Sequence, residues 1–325
     1  MQIIRQPGEL PETLSSSIVT IGNFDGVHLG HQALLRRVVV RARTAGATAA
    51  VLTFDPHPTQ VLAPERAPKL LTTLPEKLRL IEAAGIDLIW VRPFTRELSA
   101  MSPAEFFDDA LVRGLCASAI VVGPNFRFGH KQAGDVNRLA ELGRSKGCEV
   151  EVMEALRLRG QMVSSSRVRE LAQLGRIHQA GRLLGRPFSV SGAIVAGSGI
   201  GRTQTVPTLN LAPFDPRFPR QLPKTGVYVT YTHVAGATHQ SVTNVGRKPT
   251  FGEHDLTVES FLLDYRDGRI EADEMEIQFL HRLRDERKFP DATTLKAQII
   301  RDAQRSMTFF RRLQAIQQSI SADAL

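Results

Sequence analysis

Short apolar, β-branched runs alternate with amphipathic stretches through the first half of the chain. Runs at 17–21, 47–53, 87–91, 118–122 and 148–153 predict strands, and helical patterns at 31–44, 75–84, 103–114 and 136–146 lie between them. That alternation predicts a mostly parallel sheet with crossover helices, a doubly wound α/β domain. Such sheets take ligands at the carboxyl ends of their strands, so chemistry is expected in the loops after Ile21, Thr53 and Val122. A helical pattern over 167–184 stops at Gly185-Arg186-Pro187, where the periodicity changes and a boundary between domains 1–184 and 185–325 is expected. Beyond it, runs at 188–195, 226–233, 241–245 and 257–264 are separated by glycine- and proline-containing turns without crossover helices, which predicts a small antiparallel barrel or sandwich. Leu295, Ile299, Phe309, Leu313 and Ile316 recur at roughly helical spacing and predict a closing amphipathic helix over 293–319.

A chain of 325 residues accommodates two domains of ~150 residues. Its 42% hydrophobic and 23% charged content excludes extended disorder. No apolar run approaches the ~20 residues that cross a bilayer, so no membrane partner is expected. Residues 1–14 lack a basic segment followed by an apolar one, and the cytoplasm is the expected address. Cys116 and Cys148 have no Cys-x-x-Cys partner and are expected to be reduced structural thiols. The formal charge of +8 suits polyanionic partners, either nucleic acid or nucleotide phosphates. Because the basic residues are scattered and aromatics total 6%, a solvated basic surface is expected rather than a nucleic-acid groove.

The first candidate site follows the strand at 17–21. Gly22, Asn23, Phe24, Asp25, Gly26, Val27, His28, Leu29, Gly30 and His31 run from it into a helical pattern. Two imidazoles then bracket a glycine at a helix N-terminus, where free N–H groups and the helix dipole favour an anion and glycine permits close approach. A phosphate cradle is the expected reading. Ordinary histidines, or a zinc pair joined by His57 or His130, are the alternatives, although no compact ligand spacing connects those residues. Further on, Ser164, Ser165, Ser166, Arg167 and Arg169 open another helical run. Their hydroxyls and guanidinium groups suit a triphosphate tail beyond simple N-capping.

With these motifs, the chain resembles the bifunctional bacterial riboflavin kinase/FAD synthetases, whose first half is a Rossmann-like nucleotidyltransferase domain. The matching stretches are 22–31, 54–58, 122–129 with Gly134-Asp135, and 163–169. The resemblance implies that the phosphate of FMN attacks the α-phosphorus of ATP, giving FAD and pyrophosphate. It further implies roles for His28 and His31 at the α-phosphate, for Ser164, Ser165 and Arg169 at the leaving pyrophosphate, and for Ser166 among the groups at the ATP phosphates. Asn125 would sit over the nucleotide and flavin phosphates, with Gly22, Asn23, Phe24 and Gly30 around the ATP. Phe54, Phe126 and Phe128 are candidate faces for isoalloxazine. Ser166 stands where the family usually has threonine.

In the second half, Gly197, Gly199 and Gly201 precede Arg202, a spacing that matches neither the dinucleotide nor the Walker pattern. Pro207, Thr208, Leu209 and Asn210 follow, and riboflavin kinases carry a glycine-rich loop and then Pro-Thr-Ala-Asn. The resemblance implies that the three glycines lie at the ATP phosphates and that Thr208 and Asn210 hold Mg²⁺ beside them. Glu259 matches the family's base for riboflavin's terminal ribityl hydroxyl. Its position alone would suit an exposed strand carboxylate. Gln204-Thr205-Val206, Leu209 and residues 269–273 depart from the family pattern. The expectation is a two-site enzyme with ATP, riboflavin and FMN as small-molecule substrates. The alternatives are an adenylyltransferase with a weakened or altered kinase site, a nucleotidyltransferase with another phosphorylated acceptor, and a basic nucleic-acid-binding protein indifferent to flavin.

Overall fold

The structure, a computed structural model, describes residues 1–195, 208–247, 256–265 and 270–322. It comprises two compact units, Met1–Ser165 and Ser166–Leu325. In chain order the first contains β1 (Gln2–Ile4), β2 (Ser17–Ile21), α1 (Leu29–Ala45), β3 (Thr48–Asp55), α2 (Pro58–Leu62), α3 (Leu74–Glu82), β4 (Leu88–Pro93) and α4 (Arg96–Ala100). It continues with α5 (Pro103–Phe106), which runs on as a π-helical stretch over Phe107–Gly114, then β5 (Ala117–Val122), α6 (Val136–Ser145), β6 (Glu149–Val152) and a small hairpin, β7 (Arg157–Leu158) with β8 (Gln161–Met162).

The main sheet is parallel with order β1-β4-β3-β2-β5-β6. Its central strands are near-continuous apolar runs because both faces are covered. One face holds Trp90, Phe106, Phe107 and Leu111, and the other holds Leu35, Val38, Ile81 and Ile89. Strand order reverses between β2 and β5. That switch point is where an open α/β sheet leaves a crevice at its carboxyl ends. The five predicted strands are present and β1 adds a sixth, its three residues being too short to register a period in the sequence.

The second unit takes α7 (Ser165–Gln173) from its second residue onward, followed by α8 (Ile177–Leu184), β9 (Phe188–Val195), β10 (Thr208–Leu211), β11 (Gly226–Val234), β12 (Ala237–Arg247), β13 (Leu256–Leu262), β14 (Glu274–Arg284) and α9 (Ala292–Ala322). The helical pattern at 167–184 is two helices, broken where Gly175 adopts a φ of 72°. Both pack within this unit: Lys224 N donates to Ala172 O at 2.9 Å, and α8 lies against β9 and β14. Periodicity identifies an apolar face, but not which core receives it.

The strands close as an antiparallel barrel in the order β10-β13-β12-β11-β14-β9. Phe188, Tyr228, Ile277 and Phe279 fill one part of its interior, while Thr230, Thr232, Ser241, Thr243 and Ser260 fill another. Those buried hydroxyls satisfy one another at 2.6 to 3.1 Å, so the polar interior carries no desolvation debt. The closing helix is present, with Phe310 against Tyr231 at 5.1 Å and Arg284 paired to the buried Asp302 at 2.8 Å.

Gly143 of α6 sits against the chain entering β6. A Cβ there would lie 2.5 Å from Cys148 O and 2.7 Å from Val150 Cγ2. Gly143→Ala is expected to lower unfolding free energy by about 1–3 kcal/mol through overpacking, read as a reduced urea midpoint at unchanged m-value.

Candidate active sites

The loop from β2 to α1 is built as a rigid platform. Phe24 and Val27 have φ of 48° and 38°, and both side chains are 1% exposed in the core. Positive φ is strained for a β-branched residue, so the surroundings must hold it. Asp25, itself 3% exposed, does much of this. Its carboxylate accepts from Leu71 N, Thr72 N and Thr72 Oγ1 at 3.0 to 3.2 Å, and Gly26 N donates to Thr72 Oγ1. Ser165 Oγ donates to Asp25 O at 2.8 Å. Ser165, expected from sequence at the phosphates, thereby also ties the start of α7 to the loop. Phe24, expected around the ATP, has its ring in the core.

His28 is the N-cap of α1, and its Nδ1 accepts from His31 N at 3.2 Å. An accepting Nδ1 puts the ring proton on Nε2 in the neutral tautomer, which makes Nε2 the donor. The two imidazoles stack at 3.7 Å between centroids and 14° between planes, with Phe24 edge-on to His31 at 5.1 Å. His28 is 6% exposed and His31 half-buried. His31 Nδ1 is buried without a hydrogen-bond partner. A Cβ on Gly30 would come within 3.2 Å of the His28 ring, which is why glycine stands between the histidines. Burial first, then the neighbouring His28 and Lys77, hold the His31 pKa well below 6.5.

The neighbouring loops converge on the same end of the sheet. Asn23 lies 3.2 Å from His57 Nε2, while His57 Nδ1 accepts from Thr59 N as the cap of α2. Since a neutral imidazole accepts at only one nitrogen, His57 donates through Nε2 and the Asn23 amide presents its oxygen. Asn125 is exposed beyond β5, in a loop pinned by mutual backbone hydrogen bonds of Phe128 and Gly134. Phe126 stacks on Phe128 at 5.5 Å, and Phe54 meets Phe94 edge-on at 5.6 Å. Phe128 is 6% exposed and backs Phe126 from within the core, so only Phe54 and Phe126 retain open ring surface. Among the described residues, no group of three His, Cys, Asp or Glu side chains is disposed to hold a metal. Nearby, a shallow cleft of about 410 Å³ is lined by Glu97, Glu105, Asp108 and Arg113. Its negative balance disfavours a polyphosphate.

On the barrel, register supplies the geometry. Asn210 pairs with Glu259, and Glu259 with Asn244, so three polar side chains form one row across β10, β13 and β12. Thr208, two residues from Asn210, shares that face and is exposed. Leu209 lies on the opposite face, 7% exposed and in register with Ser260. Its departure from the family's alanine therefore alters the barrel wall, not the Asn210–Glu259 row. Gly197, Gly199 and Gly201, with Gln204-Thr205-Val206, lie outside the described residues.

The FAD synthetase family model matches residues 10–167 and the riboflavin kinase family model matches 184–310. A bifunctional riboflavin kinase/FMN adenylyltransferase of Pseudomonas fluorescens is 35% identical over 303 residues, 93% of this chain and 96% of its own length. That of Bacillus subtilis is 33% identical over 309 residues, covering 94% and 96%. A crystal structure described as a macrolide-efflux protein from Streptococcus pneumoniae has the same fold, with TM-score 0.83 and 27% identity over 94% of this chain and 98% of its own. The chain belongs to the bifunctional riboflavin kinase/FMN adenylyltransferase family. Its synthetase half is N-terminal and its kinase half C-terminal.

Within the synthetase half, sequence reasoning found the histidine loop but missed what fixes it. Asp25 carried no motif of its own beyond the matched stretch, and its partners Leu71 and Thr72 are 46 and 47 residues away. Ser166 and Arg169 follow Ser165 on α7, in the second unit.

The lowered His31 pKa has a sign that can be measured. Below pH 6.5 the unfolded chain takes up a proton that the folded protein does not, so this residue's contribution is complete above 6.5 and lost as pH falls toward the folded value. Stability is expected to decline from pH 6.5 downward, and His31→Gln is expected to flatten that part of the profile in urea titrations at successive pH values.

Proposed function

We propose that FMN adenylylation takes place on the platform formed by the β2–α1 loop, and riboflavin phosphorylation on the Thr208, Asn210 and Glu259 face of the barrel. The observation that carries the first assignment is the stacked histidine pair capping α1 at the sheet's switch point, with a buried ring nitrogen lacking any protein partner. His28 Nε2, the first-turn N–H groups of α1 and a neutral His31 supply donors to the non-bridging oxygens of the α-phosphate. A phosphate oxygen of FMN forms the new bond to that phosphorus in line with the breaking bond to the β-phosphate, and pyrophosphate leaves. No covalent enzyme intermediate is needed, because positioning and charge stabilisation supply the catalysis.

Ser164, Ser165 and Arg169 hold the leaving pyrophosphate on this reading, with Ser166 at the ATP phosphates, as the family resemblance implies. Asn125 spans the phosphates, and Phe54 and Phe126 offer ring faces to the flavin. On the barrel, Glu259 takes the proton from the ribityl hydroxyl as its oxygen attacks the γ-phosphorus and ADP departs. A hydroxyl, an amide and a carboxylate on one strand face form a hard-oxygen donor set suited to Mg²⁺, which needs few protein ligands beside substrate phosphates. Thr208 and Asn210 would hold the ion, which would offset phosphate charge when bound. Gly197, Gly199 and Gly201 keep the role at ATP that the resemblance implies. We draw the functional boundary at 184/185, a reading supported by the start of the kinase-family match at residue 184. No helix among the described residues is long and apolar enough to cross a membrane, and the cytoplasm is the compartment we assign.

Mutations separate the two reactions. His31→Ala is expected to slow FAD formation about a hundredfold, equivalent to roughly 3 kcal/mol, while FMN formation continues. Equal loss of both activities in a folded variant would contradict separate sites. Glu259→Gln is expected to slow riboflavin phosphorylation ~100-fold with FAD synthesis from supplied FMN retained. Both are read by chromatographic resolution of FMN and FAD from riboflavin, ATP and Mg²⁺.

A further inference from the structure

Lys77 lies in the first turn of α3 with its side chain 8% exposed, although neither the sequence motifs nor the roles above use it. Two physical effects oppose an ammonium there. Burial removes it from water, and this outweighs the opposing charges of Asp25 and Asp55. The N-terminal turn of a helix favours anions, and Lys77 is the fourth residue of a helix whose cap is Thr73. Lys77 in turn acts electrostatically on the His31 imidazole and lowers its pKa. Among the described residues, the Lys77 side chain forms no hydrogen bond or ion pair.

The position is nevertheless fixed. Thr73 and Glu76 form a reciprocal capping box, and Lys77 N donates to Thr73 O at 2.9 Å. The residues just before this helix, Leu71 and Thr72, are the ones that bind the Asp25 carboxylate. The clasp that shapes the histidine loop thus also sets where α3 starts, and with it the distance from Lys77 to that loop. Asp25 and Asp55 act on this cation by charge without pairing with it, so a cation kept in a costly place by a rigid frame can take a further anion, and the family's substrate supplies one.

We propose that the Lys77 ammonium is a further substrate-binding group of the synthetase site and takes a phosphate oxygen of the ATP polyphosphate beside His31. This deepens the phosphate reading of the histidine loop and rests on it. The substrate's negative charge completes the cluster of Lys77, Asp25, Asp55 and His31, and the helix N-terminus that disfavours the lysine alone favours the bound anion. A lysine serves as a point charge here, suited to a polyphosphate whose oxygens move as the leaving group separates.

The test uses the full chain and inorganic pyrophosphate, the product released by the synthetase reaction alone. In the wild type, the ¹⁵N-lysine ammonium resonance that Lys77→Arg removes is expected to shift as pyrophosphate is added. By calorimetry, Lys77→Met is expected to weaken pyrophosphate binding about tenfold or more, whereas Lys77→Arg stays within about threefold of wild type. Rescue by arginine separates charge from packing, and riboflavin phosphorylation serves as the control for folding. The wild-type titration stands even if Lys77→Met does not fold. Pyrophosphate that shifts the His31 resonances but leaves those of Lys77 unmoved would overturn the proposal and preserve the histidine-loop reading. Pyrophosphate that moves neither overturns both.

Discussion

The Asp25 carboxylate is the constraint on which the synthetase half depends. It lies in the loop that leaves a central strand, is withdrawn from water, and is satisfied by backbone N–H groups of a segment remote in sequence. A buried carboxylate with several donors is a strong and directional restraint. It sustains a loop in which Phe24 and Val27 adopt positive φ, each such residue costing on the order of 1–3 kcal/mol. The burial of those two side chains offsets part of that cost. With the loop held, His28 caps α1, its ring fixes one nitrogen as acceptor, and His31 stacks against it. The chemistry of the pair follows from this frame: donors are aimed before substrate arrives, and His31 is kept neutral by burial and neighbouring positive charge.

The barrel achieves its geometry through register instead of buried charge. Antiparallel pairing aligns Asn210, Glu259 and Asn244 in a single row, and the alternation of a strand sends Leu209 and Ser260 to the other side. A slip of one residue would exchange the polar row for the hydroxyl-lined interior. The hydroxyls of Thr230, Thr232, Ser241, Thr243 and Ser260 bond among themselves, which makes the correct register self-consistent on both faces. The departure at Leu209 is therefore absorbed by the wall of the barrel.

Much was legible in the chain itself. Alternating apolar and amphipathic stretches announced the parallel sheet, and glycine- and proline-punctuated runs announced the barrel, because each pattern reflects local burial at a fixed period. The histidine loop was legible because anion binding at a helix start needs particular residues at close spacing. β1 escaped because three residues carry no period. β14 escaped although Met275, Ile277 and Phe279 alternate, because the polar Glu276 and Gln278 between them lower its mean hydropathy.

What only the tertiary structure decided involves partners far apart in sequence. The sequence named His28 and His31, but the fold made one a cap with a fixed tautomer and gave the other an orphaned nitrogen. It added a tie from Ser165 to the Asp25 backbone and placed Phe128 in the core. It also revealed Lys77 as a buried cation, which no local pattern distinguishes from a solvated lysine on a helix. Periodicity and spacing are local and survive in the sequence, whereas burial, tautomer and field are set by atoms that the chain brings together only when folded.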